Sequence, residues 1–65
     1  MLYLYGYKTG CSACDKLKEL FDKHRIEYQF VEVQRGQHPF ETVPQTIMGS
    51  QLCGGYADWR KHLEG

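Results

Sequence analysis

The hydrophobic period of this chain changes twice before residue 34. An apolar run at Leu2–Tyr5 gives way to Cys14, Leu17, Leu20 and Phe21, then to alternation at Ile26, Tyr28 and Phe30, with Val31 and Val33 beyond. Residues three and four apart share a helix face, and residues two apart share a strand face. The pattern therefore predicts a strand, an amphipathic helix from Ser12 to His24 and a second strand ending near Val33. Asp15, Lys16, Lys18, Glu19, Asp22 and Lys23 supply the wet side of that helix. Two strands joined by one helix in so short a span run parallel, with a right-handed crossover.

The remaining half of the chain has to complete a sheet. Gln34–Glu41 has no apolar period, and Gly36 and Pro39 leave room for a loop or one short helical turn. Pro44 interrupts sheet pairing, so the next strand begins after it, at Thr46-Ile47-Met48. Gly49-Ser50 then reads as a tight connection to Gln51-Leu52-Cys53, making a hairpin. Gly54-Gly55 ends the strand, and Tyr56, Trp59 and Leu63 share the inner face of a closing helix that reaches Glu64. The 65 residues are expected to form a single domain, 1–65, with a small core, since chains of this size bury only about 60% of their extended surface.

Eight basic and eight acidic side chains balance, so nothing draws the chain broadly toward nucleic acid or an anionic membrane. Arg60, Lys61 and His62 form the densest basic cluster, where the end of a helix favours positive charge; a partner-binding patch is the other reading. The opening Met-Leu-Tyr-Leu-Tyr lacks a positive flank and a long apolar stretch. It reads as a first strand, and the expected compartment is the reducing cytoplasm. Three cysteines cannot all pair within one molecule, and a Cys11–Cys14 bridge closes too short a loop to constrain the unfolded chain much. Its purpose is chemical.

Cys11-Ser12-Ala13-Cys14 sets one sulfur at the entrance of the helix and the other in its first turn. Unpaired N–H groups and the positive end of the dipole stabilise a thiolate there, and two intervening residues let the second sulfur reach the first. Ser12 with Asp15 matches a capping box, and Cys11 is the other candidate cap. A structural zinc site is the rival, but it needs four ligands, and only Cys53 and one of His24, His38 or His62 remain. Lys8, three residues before Cys11, is either a positive charge near the thiolate or a substrate carboxylate, or a solvated loop residue. Cys53 is expected to be a small core residue, with an auxiliary thiol as the alternative. A cis Val43–Pro44 bond would expose the Val43 backbone as an edge for an extended peptide. At the start of the closing helix, the Ala57 and Asp58 N–H groups can receive a carboxylate and the Asp58 side chain an ammonium.

Three motifs in this order, Lys8-Thr9-Gly10-Cys11-Ser12-Ala13-Cys14, Thr42-Val43-Pro44 and Gly54-Gly55-Tyr56-Ala57-Asp58, resemble the dithiol glutaredoxins of the thioredoxin superfamily over nearly the whole chain. The resemblance implies a compact α/β thioredoxin-like fold with a four-stranded mixed sheet, two principal helices and a shortened or absent middle helix. It implies a glutathione-dependent thiol–disulfide oxidoreductase with Cys11 as nucleophile and Cys14 as resolving thiol. Glutathione would be a co-substrate, with no tightly bound cofactor and no metal. Lys8 would assist near bound glutathione, Val43 would pair with its cysteine moiety, and cis-Pro44 would shape the contact. Thr42 would line the groove, Gly55 would admit the ligand, and Ala57 and Asp58 would hold its γ-glutamyl end. Partners would be disulfide-bearing or glutathionylated proteins, ribonucleotide reductase among the family's natural substrates, met by a monomer.

The chain also departs from the family. Ser12-Ala13 stands where Pro-Tyr is common, and the segment after Val33 is too short for the usual middle helix. Arg35 or Gln37 would have to replace the basic or amide side chain which that helix offers to glutathione's glycine carboxylate. Tyr7, Phe40 and Tyr56 either wall the groove or pack the core. A donor recharged by a thioredoxin-type reductase, and an inactive peptide-binding or zinc-stabilised module, are the alternative functions.

Overall fold

A computed structural model describes residues 1–65 as β1 (Leu2–Gly6), α1 (Ser12–Lys23), β2 (Gln29–Glu32), β3 (Gln45–Met48), β4 (Gln51–Gly54) and α2 (Tyr56–Glu64). The strands form one mixed sheet in the order β2-β1-β3-β4. β1 runs parallel to β2 and antiparallel to β3, and the β3–β4 hairpin closes the other side. This is the thioredoxin-like arrangement that the resemblance implies.

Alternation decides which side of the sheet is covered. Leu2, Leu4 and Gly6 are buried, whereas Tyr3 and Tyr5 are only partly so. Leu4 stands beside Phe30 on one neighbour and Thr46 on the other, so these three share the inner face. α1 lays Leu17, Leu20 and Phe21 on Leu2 and Leu4, and Ile26, Tyr28, Phe30, Tyr56, Trp59 and Leu63 pack around that cluster. The Phe21 ring lies 5.2 Å from Tyr28 and meets Trp59 edge-on at 4.9 Å, which brings both helices onto the same face. The opposite face has no helix. Phe40 covers part of it, with its ring 5.4 Å from Tyr5.

One boundary differs from the sequence reading by more than a residue, and two alternatives that it left open are decided. Cys11, the second of the two candidate caps, is the N-cap of α1. β2 starts at Gln29 rather than Ile26 because the chain first has to close the helix: the Ile26 N–H donates to Phe21 O at 2.8 Å, and Arg25 adopts φ 56. An N–H used in that way is lost to the ladder. The segment from residue 33 to 44 contains no helical turn, only a tight turn in which the Gln37 N–H donates to Gln34 O at 3.0 Å.

Cys53 also departs from expectation. Thr46 pairs with Gly54 but Ile47 pairs with Leu52, so β4 carries one residue more than β3 at this point. That bulge removes Cys53 from the inner face, and it is partly exposed rather than a core residue. None of the residues of α2 is fully buried. Polar contacts add to the partial burial of Tyr56, Trp59 and Leu63: Glu64 accepts from Lys23 Nζ at 2.6 Å and lies 3.1 Å from His24 Nε2. No helix is long and apolar enough to cross a membrane.

Candidate active site

Antiparallel pairing gathers all three sequence motifs at one end of the sheet. The loop before Cys11 leaves the C-terminal end of β1. Tyr5 pairs with Gln45, so the start of β3, with Thr42-Val43-Pro44 just ahead of it, lies at that same end. Thr46 pairs with Gly54, which brings the end of β4 and the first turn of α2 there too. The roomiest cleft, about 580 Å³ between Met1, Leu2, Asp22, Ile26, Glu27, Tyr28 and Gln29, is at the opposite end and holds none of these residues.

Cys11 and Cys14 are joined as a disulfide, with their Cα atoms 5.3 Å apart. Cys11 holds extended backbone angles (φ −133, ψ 95), and its Sγ accepts from the Cys14 N–H at 3.2 Å. A sulfur in the cap position receives an otherwise orphaned helical donor and sits at the positive end of the helix, an environment that favours the thiolate over the thiol. The two sulfurs differ in access. Cys11 is partly exposed; Cys14 is 0% exposed on the inner face of α1. Gly6, which the sequence reading assigns to the turn after the first strand and which instead ends β1, makes room for it: a Cβ at Gly6 would lie 2.8 Å from Cys14 Sγ. The available signal is a glycine closing the strand that feeds the dithiol loop.

Val43–Pro44 is cis, and Pro44 is buried. Gly55 is fitted against it so closely that a Cβ there would stand 2.7 Å from the Pro44 carbonyl oxygen, so the second and third motifs touch. Gly55 caps α2, and the Asp58 carboxylate accepts from the Gly55 N–H at 3.2 Å. Glycine has no side-chain acceptor to return, leaving the N–H groups of Ala57 and Asp58 in a first turn without intrahelical partners. Beneath this turn lies a buried chain that the sequence reading also misses. Trp59 Nε1 donates to Thr46 Oγ1 at 2.7 Å, and that hydroxyl donates to Gly54 O at 2.7 Å. A threonine in a strand and a tryptophan in an amphipathic helix each have an ordinary apolar reading, so no local pattern announces the pair.

Lys8 and Thr42 are exposed at the same end. Lys8 shares a cleft of about 260 Å³ with Tyr7, Glu32, Arg35 and Gln37. Thr42 Oγ1 lies 3.5 Å from Gln45 Nε2. Tyr7 and Phe40 belong to an aromatic run with His38 rather than to the buried cluster, whereas Tyr56 packs against that cluster and borders a depression between α1 and α2 shared with Lys16, Leu20 and Glu64. No three of the chain's His, Cys, Asp and Glu side chains converge on a point that could hold a metal ion.

A thioredoxin-like sheet with a dithiol at the entrance of its first helix and a cis-proline loop at the same end defines a thiol–disulfide oxidoreductase. The chain belongs to the glutaredoxin family, whose profile matches residues 2–52. Glutaredoxin 1 of Escherichia coli (strain K12) is 31% identical over 68 aligned positions, covering 80% of each chain, and glutaredoxin 1 of Shigella flexneri matches equally well. Among solved structures, reduced Escherichia coli glutaredoxin superposes with a TM-score of 0.65 at 30% identity, over 95% of this chain and 94% of that one. A buckwheat glutaredoxin–glutathione complex gives 0.72 at 25% identity, over 94% and 66%. Glutaredoxin 1 from Francisella tularensis, complexed with cacodylate, shares the fold with a TM-score of 0.75 at 21% identity, over 94% and 88%. The chain is accordingly a dithiol glutaredoxin, a glutathione-dependent thiol–disulfide oxidoreductase acting through Cys11 and Cys14.

Proposed function

We propose that Cys11 is the attacking thiolate and Cys14 the resolving thiol. The observation carrying this division is the difference in access: Cys11 is partly exposed at the cap, and Cys14 is 0% exposed. In the reduced chain the Cys11 thiolate attacks one sulfur of a protein disulfide or a protein–glutathione mixed disulfide, forming a new S–S bond as the old one breaks. The departing thiolate takes a proton. Cys14 then attacks the Cys11 sulfur, releasing a protein substrate and leaving the Cys11–Cys14 disulfide. One glutathione thiolate opens that bridge, a second removes the glutathionyl group from Cys11, and the products are the dithiol and glutathione disulfide.

We place glutathione along the end of the sheet where the three motifs meet. The Val43 backbone before cis-Pro44 pairs with the cysteine moiety, and Thr42 lines the groove. Gly55, lacking a side chain, admits the ligand close to the backbone. The Ala57 and Asp58 N–H groups receive the γ-glutamyl carboxylate, the Asp58 side chain its ammonium, and Lys8 supplies positive charge beside the dithiol loop. The glutathione complex of the buckwheat relative supports this reading. Disulfide-bearing and glutathionylated proteins are the substrate class, ribonucleotide reductase a candidate among them, with a monomer acting in the reducing cytoplasm.

Two variant sets test the assignment. Cys11→Ser should abolish exchange, whereas Cys14→Ser should keep part of the turnover of a glutathionylated small disulfide and accumulate mixed disulfides with protein substrates. Equal loss in a folded Cys14→Ser protein would remove the distinction. Asp58→Asn keeps an oxygen for the Gly55 N–H but deletes the charge. It should lower glutathione-dependent kcat/KM about 3- to 10-fold, a modest loss because the carboxylate is exposed and screened, with little change toward a peptide disulfide that lacks a γ-glutamyl group.

A further inference from the structure

Arg35 lies in the turn that follows β2, yet its guanidinium reaches the loop in front of the dithiol. Its Nη2 donates to Thr9 O at 3.1 Å and to Gly10 O at 3.0 Å. The centre of the guanidinium stands 4.1 Å above the Tyr7 ring. One side chain thereby grips three of the four residues that precede Cys11. Gly10 is shaped to allow it: the residue holds φ 71, and a Cβ there would lie 2.7 Å from Arg35 Nη2.

The rest of the short segment reinforces this grip. The Tyr7 hydroxyl lies 2.8 Å from His38 Nε2. His38 Nδ1 accepts from the Phe40 N–H at 3.3 Å, so in the neutral ring Nε2 carries the proton and donates to Tyr7. The His38 ring stacks on Phe40 at 5.9 Å, and Phe40 rests on Tyr5. Residues 35–40 therefore interlock with residues 5–10 through three side chains, Arg35, His38 and Phe40, in a chain that has no middle helix to hold this end of the sheet.

We propose that Arg35 is a positioning residue for exchange, clamping the Thr9 and Gly10 carbonyls so that Cys11 stays in the capping position. The clamp acts on the cysteine in two ways. It restrains the backbone one residue ahead of the reacting sulfur. It also draws the negative ends of two carbonyl dipoles, one of them on the residue before Cys11, onto the Arg35 cation. Arginine suits the task better than lysine because a planar group can stack on Tyr7 while it donates in its own plane. Arg35 Nη2 is committed in this way, and Lys8 and Gln37 line the same cleft.

The proposal rests on Cys11 being the nucleophile, and the experiment keeps the two apart. The reduced full chain is alkylated with iodoacetamide across a pH series, with the labelled cysteine identified by peptide mass, beside glutathione-dependent turnover of a glutathionylated small disulfide. In Arg35→Ala the midpoint of the Cys11 alkylation profile should move to higher pH. Its kcat/KM should fall on the order of tenfold, chiefly through kcat, as expected when a reacting group is held less well. Arg35→Lys, which keeps a cation over Tyr7 but not the fork, should fall between the two. An unmoved profile with unchanged kcat/KM overturns the clamp, even if thermal stability drops. A change confined to the glutathione KM makes Arg35 a substrate ligand and overturns it as well. Preferential labelling of Cys14 in the parent chain overturns the assignment of the nucleophile, and the clamp with it.

Discussion

Thr46 shows how much one hydroxyl decides in a core this small. It is 0% exposed, accepts from Trp59 Nε1 and donates to Gly54 O, linking β3, the end of β4 and α2. Replacing it with valine preserves the shape and leaves a part-buried N–H and a part-buried carbonyl without this partner. Thr46→Val should therefore destabilise the fold by about 1–3 kcal/mol, read as a lower urea midpoint, while Thr46→Ser retains most of the stability. A Thr46→Val protein as stable as its parent would show that water satisfies both groups. Because Gly54-Gly55 and the first turn of α2 sit on this linkage, the same substitution should weaken glutathione recognition before it affects Cys11. The dithiol was legible from spacing alone, since Cys-x-x-Cys at the entrance of a helix carries its own physical reason. Thr46, Gly6 and Arg35 were not, because each acts across at least eight residues of sequence on an atom that no local pattern locates.

Among the elements, α2 is the least secured by apolar burial, and its last turn is held by charge. Lys23 and His24 at the end of α1 both face the Glu64 carboxylate. The Lys23 hydrogen bond first, and then that of His24, hold the Glu64 carboxyl below its ordinary value of 4.5. A carboxylate with a lowered value in the folded chain binds fewer protons there than in the unfolded chain. Its contribution is accordingly complete above 4.5 and is lost as the pH falls through the lower, folded value. Glu64→Gln should melt below the parent at neutral pH, and the two melting curves should converge in acid; 1 M salt should narrow the neutral difference, since the carboxylate is exposed. Curves that stay equally far apart at every pH would assign Glu64 a role other than its charge. The boundaries of the elements were readable from period to within a few residues. The late start of β2 was not, because it depends on which donor finishes α1.

For the molecule as a whole, the fold depends on a core of five buried side chains, among which Phe21 meets both Tyr28, in the connection into β2, and Trp59 of α2. Removing a buried phenylalanine ring costs about 3–5 kcal/mol, against a total stability of roughly 3–10 kcal/mol for a chain of this length. Phe21→Ala should leave no cooperative thermal transition, or one displaced by tens of degrees; a shift of only a few degrees would mean that the neighbouring rings collapse into the space. The sequence by itself determined the alternation of strand and helix, the parallel crossover, the hairpin and the position of the dithiol at a helix entrance. Each follows from residues within one or two turns of one another. Only the tertiary structure decided that β4 bulges and turns Cys53 out of the core, that Gly55 lies against the Pro44 carbonyl, and that Arg35 closes on the loop before Cys11. Those outcomes depend on strand register and on how closely two backbones approach, and both are set by packing between segments far apart in the chain rather than by the preferences of any one of them.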